Sequence, residues 1–138
     1  MGLTLKTVAI VALAFAGMYG GELPAETQAK FVKILASSAG SAGKVNCSNA
    51  ALVAELGKVG VAHDGGSKVA WASTEGEVKS LKGAGKMVIC GKLEWLPSGG
   101  AIAIVEEGGK PQIYLHMGNI SASGVTLSDA VLKIGKKL

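Results

Sequence analysis

Arginine is absent from this chain, and its positive charge rests on fourteen lysines. The guanidinium fork is the preferred reader of phosphates and guanine edges, so its absence speaks against nucleic acid as the natural partner. Aromatic residues make up only 4% of the chain, too few for the stacking platforms that hold single-stranded nucleic acid. The lysines are scattered along the sequence, as a solvated surface requires, and leave a formal net charge of +4.

Histidine and cysteine are equally sparse, at two each. Nucleophilic catalysis needs a serine or cysteine beside a histidine that an acid orients. No serine here has a G-x-S-x-G context. His63-Asp64 falls in a Gly-rich turn, and His116 ends an apolar strand, where a structural histidine is the default. Glu106 and Glu107 are adjacent on a strand and so point to opposite faces, which rules them out as an acid/base pair. Gly83-Ala84-Gly85-Lys86 resembles a phosphate loop only in part: Ser80 stands where the first glycine belongs, Met87 replaces the hydroxyl, and the segment leads into a strand. No enzymatic activity, cofactor or metal is therefore expected.

Residues 1–21 carry one lysine, an apolar run from Thr7 to Ala16 and the small-x-small triplet Ala14-Phe15-Ala16. The run is too short to span a hydrocarbon core of about 30 Å and has the layout of a secretory signal peptide. A buried N-terminal helix and an uncleaved segment used for membrane attachment or assembly are the alternatives. Residues 22–138 then form a single domain, large enough to bury one core. In an exported chain the sparse pair Cys47 and Cys90 is expected to form a disulfide rather than a metal site, since Cys47, His63, Cys90 and His116 contain no closely spaced ligand pair. Closing so long a loop would stabilise the fold by about 4 kcal/mol.

Order along the chain comes from periodicity and punctuation. Pro24 opens a helix with Thr27, Phe31, Ile34 and Leu35 on one face, ending near Ser37. Lys44 to Cys47 is a short strand, and Ser48 or Asn49 caps a helix carrying Leu52, Val53, Leu56 and Val59. Lys68 to Ala72 is a second strand. Thr74 and Glu77 have capping-box spacing ahead of a helix to Leu81. Lys86 to Cys90 is a buried strand, and Ala101 to Val105 with Gln112 to His116 make a hairpin around Gly108-Gly109. A final helix beginning near Ser128 puts Leu127, Val131, Ile134 and Leu138 on one face. The pattern predicts an α/β sandwich: a central mixed, mostly parallel sheet flanked by helices, with a C-terminal hairpin and helix. A strand order of 2-1-3 would set Cys47 beside Cys90 at neighbouring strand ends, about 5 Å apart. A ligand crevice is expected beyond the carboxyl ends of the strands, near Asn49, Ser73 and Lys92. Trp95 either packs over the sheet end or serves as an exposed anchor. Together with His116 these are the candidate partner or ligand contacts.

The opening LPAETQAKFVKIL, the strand MVIC, Gly99-Gly100-Ala101-Ile102 with Val105-Glu106, and Gly124 with Ser128 to Lys136 match in type and order the pattern of the YfiR-like family. This is a family of exported bacterial domains. The resemblance covers most of residues 22–138 and implies a periplasmic location and a non-enzymatic regulatory role. It implies as partner the periplasmic domain of a membrane-bound diguanylate cyclase or sensor kinase, released under envelope or redox stress. It also implies that Cys47 and Cys90 resemble one family disulfide in placement. His116 stands where the family ends its strand with asparagine, and a second cysteine pair is missing. A homodimer, a small-ligand-binding module of the same compartment, and an assembling structural subunit with a retained N-terminal segment complete the expectations.

Overall fold

The computed structural model describes residues 21–138; the expected signal segment, apart from Gly21, lies outside them. The chain is an α/β sandwich with a mixed, mostly parallel central sheet between helical layers. Its strands are β1 (Gly21–Glu22), β2 (Lys44–Val45), β3 (Ala62–His63), β4 (Val69–Ala72), β5 (Met87–Cys90), β6 (Ile102–Glu107), β7 (Lys110–Leu115) and β8 (Lys136–Lys137). Its helices are α1 (Ala25–Ser38), α2 (Ala50–Lys58), α3 (Glu75–Gly83), α4 (Met117–Ala122) and α5 (Asp129–Ile134), with a 3-10 turn at Leu93–Trp95.

Strands β4-β5-β6-β7-β8 lie side by side, with β1 filling in antiparallel beside β6 past the end of β5. The parallel pair β3-β2 joins them through Asn46, whose N–H donates to Val69 (2.9 Å) and whose carbonyl accepts from Trp71 (2.9 Å). Beginning at that edge the strands run β3-β2-β4-β5-β6, the 2-1-3-4-5 order of doubly wound sheets. Right-handed crossovers in the two directions from β2 put α2 on one face and α3 on the other.

That order overturns the expected disulfide. The expected 2-1-3 order of the strands at Lys44–Cys47, Lys68–Ala72 and Lys86–Cys90 fails: β4, the Lys68–Ala72 strand, lies between the other two, and the edge place beyond β2 is taken by the two-residue β3. With β4 between them, Cys47 and Cys90 are two strand spacings apart, roughly 9 Å, beyond disulfide reach. They also face opposite ways. Cys47 follows Asn46, in line with Trp71, and packs on the face that carries α1 and α2. Cys90 pairs in register with Ala72 and packs under α3. Both are buried free thiols, and burial pushes the Cys90 thiol up to about 11.

On the first face Val69, Trp71, Met87, Ile89, Ile102, Ile104, Ile113 and Leu115 meet α1 through Val32 and Leu35 and α2 through Leu52 and Leu56, with Ile120, Leu127 and Val131 completing the layer. On the second, Ala72, Val88, Cys90, Ala103 and Val105 meet Val78 of α3 and Leu96. The Gly99-Gly100 pair has a steric cause there. Gly99 has φ +130° with the Lys82 side chain lying over it, and a Cβ at Gly100 would sit 3.1 Å from Cys90 Sγ. The hairpin turn is likewise dictated: Gly108 and Gly109 have φ of 61° and 79°, the positive pair that a two-residue type I′ connection needs.

Local signals place several elements. Thr74 Oγ1 accepts from the Glu77 N–H (3.1 Å), and Glu77 reaches back to the Ser73 N–H (2.7 Å), one residue before the cap. Asn49 Oδ1 accepts from the Leu52 N–H (3.1 Å). The last helix stops at Ile134 instead of continuing, and Lys136–Lys137 turn back to pair with β7, leaving Ile134 and Leu138 exposed.

Candidate functional site

In a doubly wound sheet the crevice at the point where strand order reverses, beyond the carboxyl ends, is the usual ligand position. Here that point lies between β2 and β4. Asn49 Nδ2 and Trp71 Nε1 each donate to Ser73 Oγ at 3.0 Å, and Ser48 Oγ donates to the same Glu77 carboxylate that receives the Ser73 N–H. Asn49 and Ser73 are thus brought together, but as members of an internal network. Nearby, Gln28 is buried with Nε2 unpartnered among the described residues, packed where a Cβ at Gly91 would lie 3.3 Å from it.

Lys92 and Trp95 form a separate pair. The Lys92 ammonium stands 5.2 Å from the Trp95 ring centre, close enough for a cation–π contact, while the half-buried indole packs against the small-residue core. His63, at the end of β3, accepts the Cys47 N–H at Nδ1 (3.1 Å). Among the described residues no group of three or more His, Cys, Asp or Glu side chains is placed to hold a metal ion.

An apolar concavity lies elsewhere, on the second sheet face over β7 and β8. It is a groove of about 640 Å³. Leu93, Leu96 and Pro97 form one wall, Leu138 the other, Tyr114 and His116 lie at its base, and Glu94 stands at the rim. Tyr114 and His116 share this face because residues two apart on a strand point the same way. The first wall is tied down by Asn119, whose Nδ2 donates to the carbonyls of Leu96 (3.0 Å) and Gly100 (2.9 Å). The second is held by β8: the Leu138 N–H donates to Leu115 (2.8 Å), and Lys136 bonds Glu107 (3.0 Å) while lying 5.4 Å from the Tyr114 ring centre. The Tyr114 hydroxyl donates to the other Glu107 oxygen. These bonds hold the Glu107 carboxyl below its ordinary range, the tyrosine bond first and the lysine bond second. The Tyr114 and Lys136 values are raised, in each case chiefly by the bond to Glu107.

His116 caps α4, and its Nδ1 accepts the Asn119 N–H (3.1 Å). A neutral imidazole accepting at Nδ1 carries its proton on Nε2, so the groove gains one N–H donor among apolar walls. Sequence reasoning picked out His116 but missed the groove, whose walls come from residues 93–97, 114–116 and 138. The period-2 pairing of Tyr114 with His116 was the one local signal for its base.

Among the described residues the fold is a doubly wound α/β sandwich with an apolar groove on one face and a hydrogen-bonded network at the switch point. No family model and no curated protein matches the chain. Among solved structures it is similar to a conserved domain protein from Vibrio cholerae O1 biovar El Tor strain N16961, at a TM-score of 0.58 and 13% identity, over 85% of this chain and 61% of that one. At that identity the likeness is one of fold.

Proposed function

We propose that this chain is a non-enzymatic regulatory binding protein of the exported, YfiR-like kind. It engages the periplasmic domain of a membrane-bound signalling protein, a diguanylate cyclase or sensor kinase, through the groove over β7 and β8. The observation that supports this is the groove itself. Its walls are apolar, its one committed donor is His116 Nε2–H, and its second wall is the exposed Leu138, which is 63% accessible. Such a surface suits an apolar partner segment that carries a hydrogen-bond acceptor.

The test is a photocrosslinking residue placed at Pro97, on the groove, or at Ile34, exposed on α1. In intact envelopes the Pro97 position should capture a membrane signalling protein, the Ile34 position should not, and Leu138→Asp should abolish the product. Equal capture from both positions, or products between copies of this chain alone, would overturn it. The groove volume also falls in the range of small-molecule sites. A bound mass seen by native mass spectrometry and lost in Leu93→Asp would favour a small-ligand-binding module instead.

A further inference from the structure

We propose that a second pocket, between the C-terminal half of α3 and α4, binds a phosphoryl group. The pocket has a volume of about 310 Å³ and is lined by Lys79, Lys82, Lys86, Asn119 and the glycines that end α3. No carboxylate lines it, and none of the salt bridges among the described residues involves these lysines. The acids of α3 are engaged at its other end, Glu75 with Ser98 Oγ (2.6 Å) and Glu77 with the Ser73 N–H.

Basic residues at a helix C-terminus offset the dipole, which accounts for Lys82 in the last turn. It does not account for the others. Lys86 comes after the helix and is steered by neutral carbonyls, Ser67 at 2.6 Å and Gly65 at 3.0 Å. Lys68, outside the lining, bonds two residues that belong to it, donating to the carbonyls of Gly85 (2.9 Å) and Ser123 (3.3 Å). Lys82 is itself constrained, its stem lying over Gly99 where a Cβ would come within 2.6 Å of Cδ. Three lysines line the pocket with no carboxylate among its lining residues, and such a lining favours a multivalent anion. The volume lies at the small end of ligand sites and suits one phosphoryl group with little attached.

The experiment is an amide chemical-shift titration of the full chain with pyrophosphate at constant ionic strength, alongside cosedimentation with phosphatidylcholine–phosphatidylglycerol vesicles. Saturable shifts confined to residues 79–86 and 119–123, abolished by Lys79→Gln with Lys82→Gln, establish a soluble phosphoryl ligand. Vesicle capture that requires the same two lysines, without a pyrophosphate response, assigns the group to a lipid headgroup. Shifts that fail to saturate, that move Lys133 to Lys137 equally, or that persist in the double variant overturn the proposal, as does silence in both arms. Both substituted residues are exposed, so circular dichroism of the variant should match the parent.

Discussion

The strands offer Trp71, Met87, Ile89, Ile102, Ile104 and Leu115 to one face of the sheet and Ala72, Val88, Cys90, Ala103 and Val105 to the other. The large residues lie beneath a layer built from α1, α2, α4 and α5. The small ones let α3 and the turn at Leu93–Trp95 approach closely, and that cover leaves the outer strands with a groove. One face therefore supplies most of the buried apolar area, which dominates stability, while the other leaves an apolar groove open. The glycines that permit the close approach, Gly99 and Gly100, belong to the thin side.

The largest test of this contrast is a pair of truncations. Ile104 is fully buried under the thick layer, and Ile104→Ala should cost about 3 to 4 kcal/mol in urea unfolding. Leu93→Ala, on the groove wall, should cost about 1 kcal/mol. Equal costs would mean that the Leu93–Pro97 segment is core and the groove a minor feature of a second packed layer.

The cysteines sharpen the same contrast, one on each face. Protein unfolded without reductant should show two free thiols by Ellman titration, and the native protein should react slowly at both. Replacing either with alanine should cost about 1 kcal/mol, well short of the loss expected from removing a long-loop disulfide. Cys90 adds a pH dependence with a definite sign. Its folded value is raised from 9.0 to about 11, so between those values the unfolded chain binds fewer protons and stability falls as pH rises. Cys90→Ala should remove that alkaline slope, whereas an alkaline limb unchanged in the variant would place its origin in other groups.

Much of the fold was legible because its signals are local. The capping residues Thr74 and Asn49, the glycine turn of the hairpin and the apolar run at Met87–Cys90 each act within a few residues. What was not legible depends on partners distant in sequence. Ala62–His63 is a strand only because β2 lies beside it, and missing it moved every later strand by one place, which produced the disulfide expectation. The α4 segment is short, contains Gly118, and is capped by a histidine, so it gave no recognisable helix start. Lys136–Lys137 has the composition of a helix end, yet pairing with Tyr114 and Leu115 draws it into the sheet. The groove inherits this blindness, since one wall follows β5 and the other follows β8.

The smallest expected effect concerns that second wall, and it turns on Glu107. Its carboxyl value is depressed by the Tyr114 hydroxyl and Lys136, so its contribution is complete above the ordinary carboxylate range and is lost as pH falls through the lowered value. Lys136 is raised, so its share is lost only as pH rises above the ordinary lysine range. Between those limits β8 should stay clamped. Acidification from about pH 7 to about pH 3 should reduce the hydrogen-exchange protection of the Leu138 amide, which bonds Leu115, while the amides of β5 remain protected. Glu107→Gln removes the titrating charge and should flatten the acid dependence at Leu138 without changing the unfolding midpoint, because the clamp lies at the surface. If the Leu138 amide loses protection in acid to the same extent in both proteins, the wall is held by the backbone pairing of β8 alone. The open face would then owe its shape to strand register rather than to charge.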